Sequence, residues 1–180
     1  INSAHLDFVS KLDNPIGIKI GPKIKIDDIP VICSKVNPQN EQGKLIFIVR
    51  LGEKNIEKML PKIIEKVKYY GHEIIWFCDP MHGNTIKSQN GYKTRQFKTI
   101  INELESFFNI HMSSNTIPGG VHIELTGENV TECLGGINDI KDKDLDLRYE
   151  TACDPRLNNE QSLEIAFLIS KLIKQRKNNG

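Results

Sequence analysis

Three residues in separate parts of the chain, His82, Glu124 and Asp154, offer one imidazole nitrogen and two carboxylates. This mixture of donors suits a divalent metal such as Mn²⁺, Fe²⁺, Co²⁺ or Zn²⁺. The residue types alone do not establish a metal site, because a chain of this length contains them by chance. His122 shares a predicted strand face with Glu124. It therefore either hydrogen-bonds within the fold or hydrogen-bonds to a metal ligand without binding the metal itself. The three residues are therefore candidate ligands.

Two cations, Lys19 and Arg50, occur within otherwise apolar segments. A buried cation without a partner costs several kcal/mol, so each of these side chains needs an anion. The anion is either a neighbouring carboxylate in a salt bridge or the phosphate or carboxylate of a substrate. Because both cations come at the ends of neighbouring predicted strands, we favour a substrate.

Hydrophobic alternation and turn residues predict four short strands separated by helices. The predicted strands are Ile16–Ile20, 45–50, 73–78 and 121–125. The predicted helices are 3–12, a helix that begins near Asp27 and Asp28 and ends at about Val36, 56–67, 97–110 and 160–173. Most of the chemically useful side chains follow the strands, including the segment 78–85 after the third strand. Active sites of α/β proteins form at the carboxyl ends of parallel strands, so position favours function.

The alternation of strands and helices predicts an α/β fold with parallel strands and right-handed crossovers. Four βα units are about half of a (β/α)₈ (TIM) barrel, which typically needs about 250 residues. An open doubly wound sheet is the competing architecture, but no G-x-G-x-x-G fingerprint follows any strand. We predict a single domain, residues 1–180, that forms the C-terminal part of a barrel. The glycine pairs 119–120 and 135–136 do not match a phosphate-binding loop and are predicted as turns.

Composition excludes several classes of protein. The net charge of the 180 residues is +1, which predicts no nucleic-acid partner. No apolar run approaches the ~20 residues that span a bilayer, and no signal peptide is visible. The four cysteines are scattered, which favours a reducing cytoplasm, and Cys78 and Cys153 are left out of the metal site as ordinary apolar residues.

Four longer blocks carry a family resemblance. They are NPIGIKIGP (14–22), WFCDPMHGNT (76–85), GGVHIELTGENVTEC (119–133) and YETACDPRLN (149–158). These blocks, in this order, resemble the characteristic segments of type II (plant-like) 3-deoxy-D-arabino-heptulosonate 7-phosphate (DAHP) synthases. The resemblance runs from about Ile1 to the final helix and covers only the later strands of that family's barrel.

The resemblance implies the first reaction of the shikimate pathway for aromatic amino acids. Phosphoenolpyruvate and erythrose 4-phosphate would condense to DAHP and phosphate, with a divalent metal, Mn²⁺ or Co²⁺, polarising the aldehyde. His82, Glu124 and Asp154 match three of the family's four metal ligands, and Lys19 and Arg50 match residues that bind phosphoenolpyruvate. Lys19 would hold the enolate-side carboxylate or donate a proton as a catalytic residue, and Arg50 would grip the phosphoryl group.

The fourth ligand in that family is a cysteine from an early strand, and the erythrose 4-phosphate site also lies earlier. The chain begins with Ile1 rather than Met, so we expect a fragment of a longer, homo-oligomeric enzyme that is inactive alone. A half-barrel subunit for binding or assembly, without turnover of its own, is the alternative. The expected location is cytoplasmic, or plastid if a transit peptide precedes this segment.

Overall fold

The computed structural model describes residues 4–179, and the side chains of residues 4–176. The helices are α1 (Ala4–Val9), α2 (Asp28–Val36), α3 (Glu53–Tyr69), α4 (Phe97–Ser113) and α5 (Asn159–Asn179). The strands are β1 (Ile16–Ile20), β2 (Leu45–Val49), β3 (Ile75–Cys78), β4 (Thr85–Lys87), β5 (Lys93–Arg95) and β6 (Pro118–Val121). The start of the first predicted helix, Ser3, lies outside the described residues.

Four strands form one parallel sheet in the order β1-β2-β3-β6. Strands that neighbour in this sheet are connected through helices, so the predicted α/β class is confirmed. The sheet with its flanking helices is consistent with part of a (β/α)₈ barrel. In the part of the chain that the structure describes, β1 and β6 are the two edges of this sheet.

The two faces of the sheet differ because side chains alternate along each strand. One face is covered by helices and holds the hydrophobic core; its buried members include Ile20, Phe47, Val49, Trp76 and Cys78. Ile56, Leu60, Ile63, Ile64 and Val67 of α3 are buried against this core. The opposite face carries Gly17, Lys19, Ile46, Ile48, Ile75 and Phe77, which stay exposed or half-buried. In a closed barrel this second face would look inward.

The fourth strand was predicted three residues too late, since the ladder runs over Pro118–Val121 rather than 121–125. The prediction of a turn at Gly119 and Gly120 is therefore wrong. A β-carbon at Gly119 would lie 2.7 Å from Ile75 Cγ2, and one at Gly120 would lie 2.8 Å from the Phe77 ring. Glycine at both positions allows β6 to lie against the bulky side chains of β3.

An antiparallel hairpin of β4 and β5, which sequence patterns did not indicate, follows β3. Its strands have only three residues each, too short for an alternation to be recognised. The hairpin brings Lys93 and Arg95 back towards the carboxyl end of the parallel sheet. Among the described helices, none combines the length and apolar character needed to cross a membrane.

Candidate metal centre

The candidate ligands come from three separate segments at the carboxyl end of the sheet. His82 begins a short 3₁₀ turn four residues after the end of β3, Glu124 lies three residues beyond β6, and Asp154 lies in the loop before α5. One donor atom from each side chain falls within 4.8 Å of the others. His82 Nε2 is 3.3 Å from Glu124 Oε1 and 4.0 Å from Asp154 Oδ2. The structure thus brings all three predicted ligands together.

His82 is oriented by a residue that sequence analysis did not single out. Asp79 is completely buried, and its carboxylate lies 2.8–2.9 Å from His82 Nδ1 and accepts the His82 backbone N–H. Burial alone would raise the pKa of Asp79, but the hydrogen bonds from His82 and Lys19 outweigh it and hold that pKa below its ordinary value. Held through Nδ1, the ring turns Nε2 towards the two carboxylates, as in carboxylate–histidine–metal arrangements.

The two candidate carboxylates are held by cations of the hairpin. Arg95 is fully buried, and its guanidinium lies 2.7 Å from Glu124 Oε2 and 3.7 Å from Asp154 Oδ1. Lys93 Nζ lies 2.5 Å from Asp154 Oδ1, and this ion pair is the main reason why the pKa of Asp154 is lowered. Arg95 also donates to Thr85 Oγ1 at 3.1 Å and to the Pro155 carbonyl. Neither cation was predicted, because their role depends on the hairpin.

A second buried carboxylate fastens the loop that carries Asp154. Glu132 accepts two hydrogen bonds from the Arg156 guanidinium, at 2.7 and 3.0 Å, and one from the backbone N–H of Thr151. Burial tends to raise the pKa of Glu132, but the bonds from Arg156 prevail and lower it. Asp154 is thereby flanked on both sides by residues tied to Glu132.

The arrangement fits a divalent cation. Donor atoms around one such ion are roughly 3 Å apart, because each lies about 2 Å from the metal. The observed separations of 3.3 and 4.0 Å need only small movements to meet that condition. Glu124 Oε2 is buried and lies near Arg95, but no described residue offers it an aligned hydrogen-bond donor, so it has capacity for a further positive partner. One imidazole and two carboxylates match Mn²⁺, Co²⁺, Fe²⁺ or Zn²⁺.

The alternative donors are placed differently. His122 is exposed, and its ring centre is 6.2 Å from that of His82. Cys78 is buried, and burial raises the pKa of its thiol well above the usual value. The exposed Cys153 thiol donates to Asp154 Oδ2 at 3.4 Å. Within residues 4–176, the group of three ligand types that can share one ion consists of His82, Glu124 and Asp154.

Lys19 and Arg50 lie at the same end of the sheet, at β1 and directly after β2. Lys19 Nζ is 3.1 Å from Asp79 Oδ2, so the salt bridge that sequence analysis left open exists. Its side chain is still 37% exposed on the open face of the sheet. Through Asp79, Lys19 is connected to His82. Arg50 is half-buried, and its buried Nε has no hydrogen-bond partner among residues 4–176.

Comparison with known proteins identifies the family to which this chain belongs. Residues 1–170 match the model of the Class-II DAHP synthetase family. The chain belongs to this family. Its relatives in that group include phospho-2-dehydro-3-deoxyheptonate aldolase AroG of Mycolicibacterium smegmatis, 51% identical over 174 residues, and phospho-2-dehydro-3-deoxyheptonate aldolase of Streptomyces coelicolor, 47% identical over 172 residues.

These alignments cover 97% and 96% of this chain but 38% of each relative. The chain therefore spans well under half the length of the class-II DAHP synthetases that it matches. The metal dependence implied by the sequence resemblance has a matching group of side chains here, formed by His82, Glu124 and Asp154.

Proposed function

We propose that the protein containing this chain is a DAHP synthase, which condenses phosphoenolpyruvate, erythrose 4-phosphate and water to DAHP and phosphate at the start of the shikimate pathway. The observation that carries this proposal is the convergence of His82, Glu124 and Asp154 at the carboxyl end of a parallel sheet in a member of the class-II family. Both relatives named above carry the corresponding aldolase name.

In this proposal His82 Nε2 and the carboxylates of Glu124 and Asp154 hold Mn²⁺ or Co²⁺. A bound cation of this kind supplies Lewis acidity towards the aldehyde oxygen of erythrose 4-phosphate. Asp79 keeps Nδ1 of His82 occupied, so that the ring presents Nε2. Lys93 and Arg95 hold the two carboxylates in place and limit their mutual repulsion.

Lys19 and Arg50 bind phosphoenolpyruvate in this proposal. The ammonium of Lys19 reaches the open face of the sheet and would hold the substrate carboxylate or donate a proton beside it. Arg50 would bind the phosphoryl group, since its Nε has no hydrogen-bond partner in the part of the chain that the structure describes. Lys19 is the proposed catalytic residue, and its contact with Asp79 keeps the ammonium beside the His82 end of the site.

The remainder of the active site would lie outside this chain. The sequence resemblance implies that a fourth, cysteine ligand and the erythrose 4-phosphate site would lie on earlier strands, and the chain spans 38% of each relative named above. We therefore expect residues 1–180 alone to have negligible synthase activity. A half-barrel subunit for binding or assembly stays the second candidate, because Ile46, Ile48, Ile75 and Phe77 leave one sheet face without a cover.

Three further parts of the proposal concern the whole protein. We expect residues 1–180 to behave as one structural unit and the complete enzyme to form a homo-oligomer. No nucleic-acid or membrane partner is proposed. A cytoplasmic location is consistent with four cysteines that form no disulfide among the described residues.

The decisive experiment measures DAHP and phosphate release by the full-length protein, stripped of metal and then supplied with Mn²⁺ or Co²⁺. We expect activity to depend on added metal. His82→Ala should abolish both this activity and the rise in thermal stability on metal addition, which linkage sets at about 2.7 kcal/mol when metal is at 100 times its Kd. His122→Ala, the matched control, should retain the metal-induced rise.

An active full-length enzyme with unchanged metal binding in His82→Ala would contradict the proposed metal centre, and absence of metal-dependent DAHP formation would contradict the proposed function. Robust DAHP formation by residues 1–180 alone with Mn²⁺ would contradict only the expectation that this chain is inactive without the earlier strands. For Lys19, a Lys19→Met enzyme that kept its turnover and lost only phosphoenolpyruvate affinity would exclude the proton-transfer role.

A further inference from the structure

A buried carboxylate outside the proposed metal centre connects two of the active-site loops. Glu103 lies on α4 and is completely buried. One of its oxygens accepts the backbone N–H of Gly52 at 2.8 Å, and the other accepts the side-chain amide of Asn84 at 2.7 Å. Gly52 follows Arg50 by two residues, and Asn84 follows His82 by two. The carboxylate therefore contacts both loops close to their functional side chains.

Asn84 completes the connection between the loops. Its amide nitrogen also donates to the Pro80 carbonyl at 2.9 Å, and its amide oxygen accepts the backbone N–H of Glu53 at 3.0 Å. The side chain thus holds its own loop after β3 and, at the same time, the start of α3 after β2. Each polar atom of this amide has a partner, which fixes its orientation.

The two loops also touch directly through their backbones. A β-carbon at Gly83 would lie 2.4 Å from Gly52 N, and one at Gly52 would lie 2.7 Å from Gly83 O. Gly52 has a φ of 81°, which favours glycine at this position. The two loops can therefore approach closely because Gly52 and Gly83 have no β-carbon. Glu103 accepts the backbone N–H of Gly52 at this contact.

A purely structural role explains this carboxylate poorly. Among the described residues Glu103 has no ion-pair partner, and burial raises its pKa to about 7, against the lowering effect of the bonds from Gly52 and Asn84. A buried carboxylate without a cation destabilises a fold relative to an apolar side chain of similar size. All the hydrogen bonds that offset this cost go to the loops of Arg50 and His82.

We infer that Glu103 is a positioning residue for the reaction: from α4 it sets the separation between the phosphoenolpyruvate-binding Arg50 and the metal-binding His82. This inference rests on the proposed function. When the connection is lost, Arg50 still binds phosphoenolpyruvate and His82 still binds the metal. Only their relative placement changes, and a displacement of about 1 Å between reacting groups costs about 100-fold in rate.

The test compares Glu103→Gln with wild type in the full-length enzyme. Glutamine keeps the shape but turns an NH₂ group towards one of the two donors, so one connection is lost. We expect kcat to fall roughly 10- to 100-fold, while KM for phosphoenolpyruvate and the Kd for Mn²⁺, measured by calorimetry, stay near wild type. Glu105→Gln is the matched control, because Glu105 lies on the same helix and, among the described residues, forms no hydrogen bond with either loop.

Asn84→Ala removes the connection from the other side and should give the same loss of kcat; it decides the matter if Glu103→Gln fails to fold. A wild-type kcat in a folded variant would overturn the positioning role while leaving the proposed function intact. A loss fully explained by weaker metal or substrate binding would overturn it as well. Absence of DAHP synthesis by wild type with added metal would overturn the proposed function, and this inference with it.

Discussion

Two parts of the molecule differ in how they hold charged side chains: one is a partly exposed network of ion pairs around buried Asp79 and Arg95, and the other is two buried residues of α4. The site network, defined as Asp79, Arg95, Glu124 and Asp154 with Lys19, Lys93 and His82, pairs each carboxylate with at least one cation or imidazole. Two residues of α4, Glu103 and His111, are buried, and neither has an ion-pair partner among the described residues. The His111 ring lies 2.7 Å from Thr116 Oγ1 and has aromatic contacts with Trp76 and Phe107.

The pKa values follow this difference. Partners keep the pKa of Asp79 and Asp154 below the ordinary range, so both stay ionised at neutral pH. Burial raises the pKa of Glu103 to about 7 and lowers that of His111 to about 4, so both are driven towards the neutral form. Burial alone therefore disfavours charge, and only a specific partner retains it. The carboxylates at the carboxyl end of the sheet thus stay charged because cations and an imidazole bond to them.

The largest effect should come from removing the cation at the centre of the site network. Arg95→Met leaves Glu124 without its main counter-charge and removes one partner of Asp154. Breaking a buried pair from one side costs about 3–5 kcal/mol. Because Glu124 is 27% exposed, we expect a loss at the lower end of that range, measured by denaturant unfolding of the metal-free protein. Arg148→Met is the control, since Arg148 forms exposed pairs with Glu128 and Glu150. Equal stability losses in both variants would contradict the comparison.

Glu103 should make the protein more stable on acidification. Its folded pKa of about 7 exceeds the ordinary 4.5, so the folded state binds the proton first and stability rises as pH falls from about 7 towards 4.5. Between pH 8 and pH 5 this gain is on the order of 2 kcal/mol. Glu103→Gln should lack it, which unfolding measured at both pH values would show. A variant with the wild-type pH slope would argue against an uncompensated buried carboxylate.

His111 should act in the opposite direction. Its folded pKa of about 4 lies below the ordinary 6.5, so the unfolded state binds the proton first and stability is lost as pH falls from about 6.5 towards 4. The loss by pH 5 is on the order of 2 kcal/mol. His111→Gln should remove this component, so that stability declines less on acidification than in wild type. Measuring both α4 variants together is necessary, since the two contributions oppose each other in wild type.

The smallest effect is expected at the surface. Lys66 forms an ion pair with Asp27 at 2.7 Å, and both side chains are solvent-accessible. Such a pair is screened by water and salt, so Lys66→Met should leave the unfolding midpoint at the wild-type value. Calorimetry in low and high salt would check this. A clear loss of stability in Lys66→Met would contradict the expectation that surface ion pairs stabilise the fold less than the ion pairs of the site network.

Sequence patterns predicted much of the fold and part of the candidate site. The strands of β1, β2 and β3 were predicted because apolar runs and glycines mark them, whereas β6 was shifted because Gly119 and Gly120 resemble a turn. The charged residue Glu103 stands in the apolar face of α4, between Ile100 and Leu104, a signal that was available and unused. Asp79 follows β3 directly and could have been found by position alone.

Arg95 was beyond reach of sequence patterns. It is connected to Glu124 and Asp154 only because the short hairpin folds back over the end of the sheet. Strands of three residues are too short to show a hydrophobic periodicity that would predict the hairpin. A lone arginine in a polar segment is usually solvated. Its complete burial became visible only with the packing around it.

The sequence by itself determined the order of strands and helices and the residue types for chemistry, because hydrophobic alternation and side-chain identity are local properties. The family resemblance followed from the same residues. Only the tertiary structure decided which charges meet: Lys19 with Asp79, sixty residues apart, and Glu103 with two different loops. Pairing depends on distances across the sheet, and those distances set whether His82, Glu124 and Asp154 can share one ion.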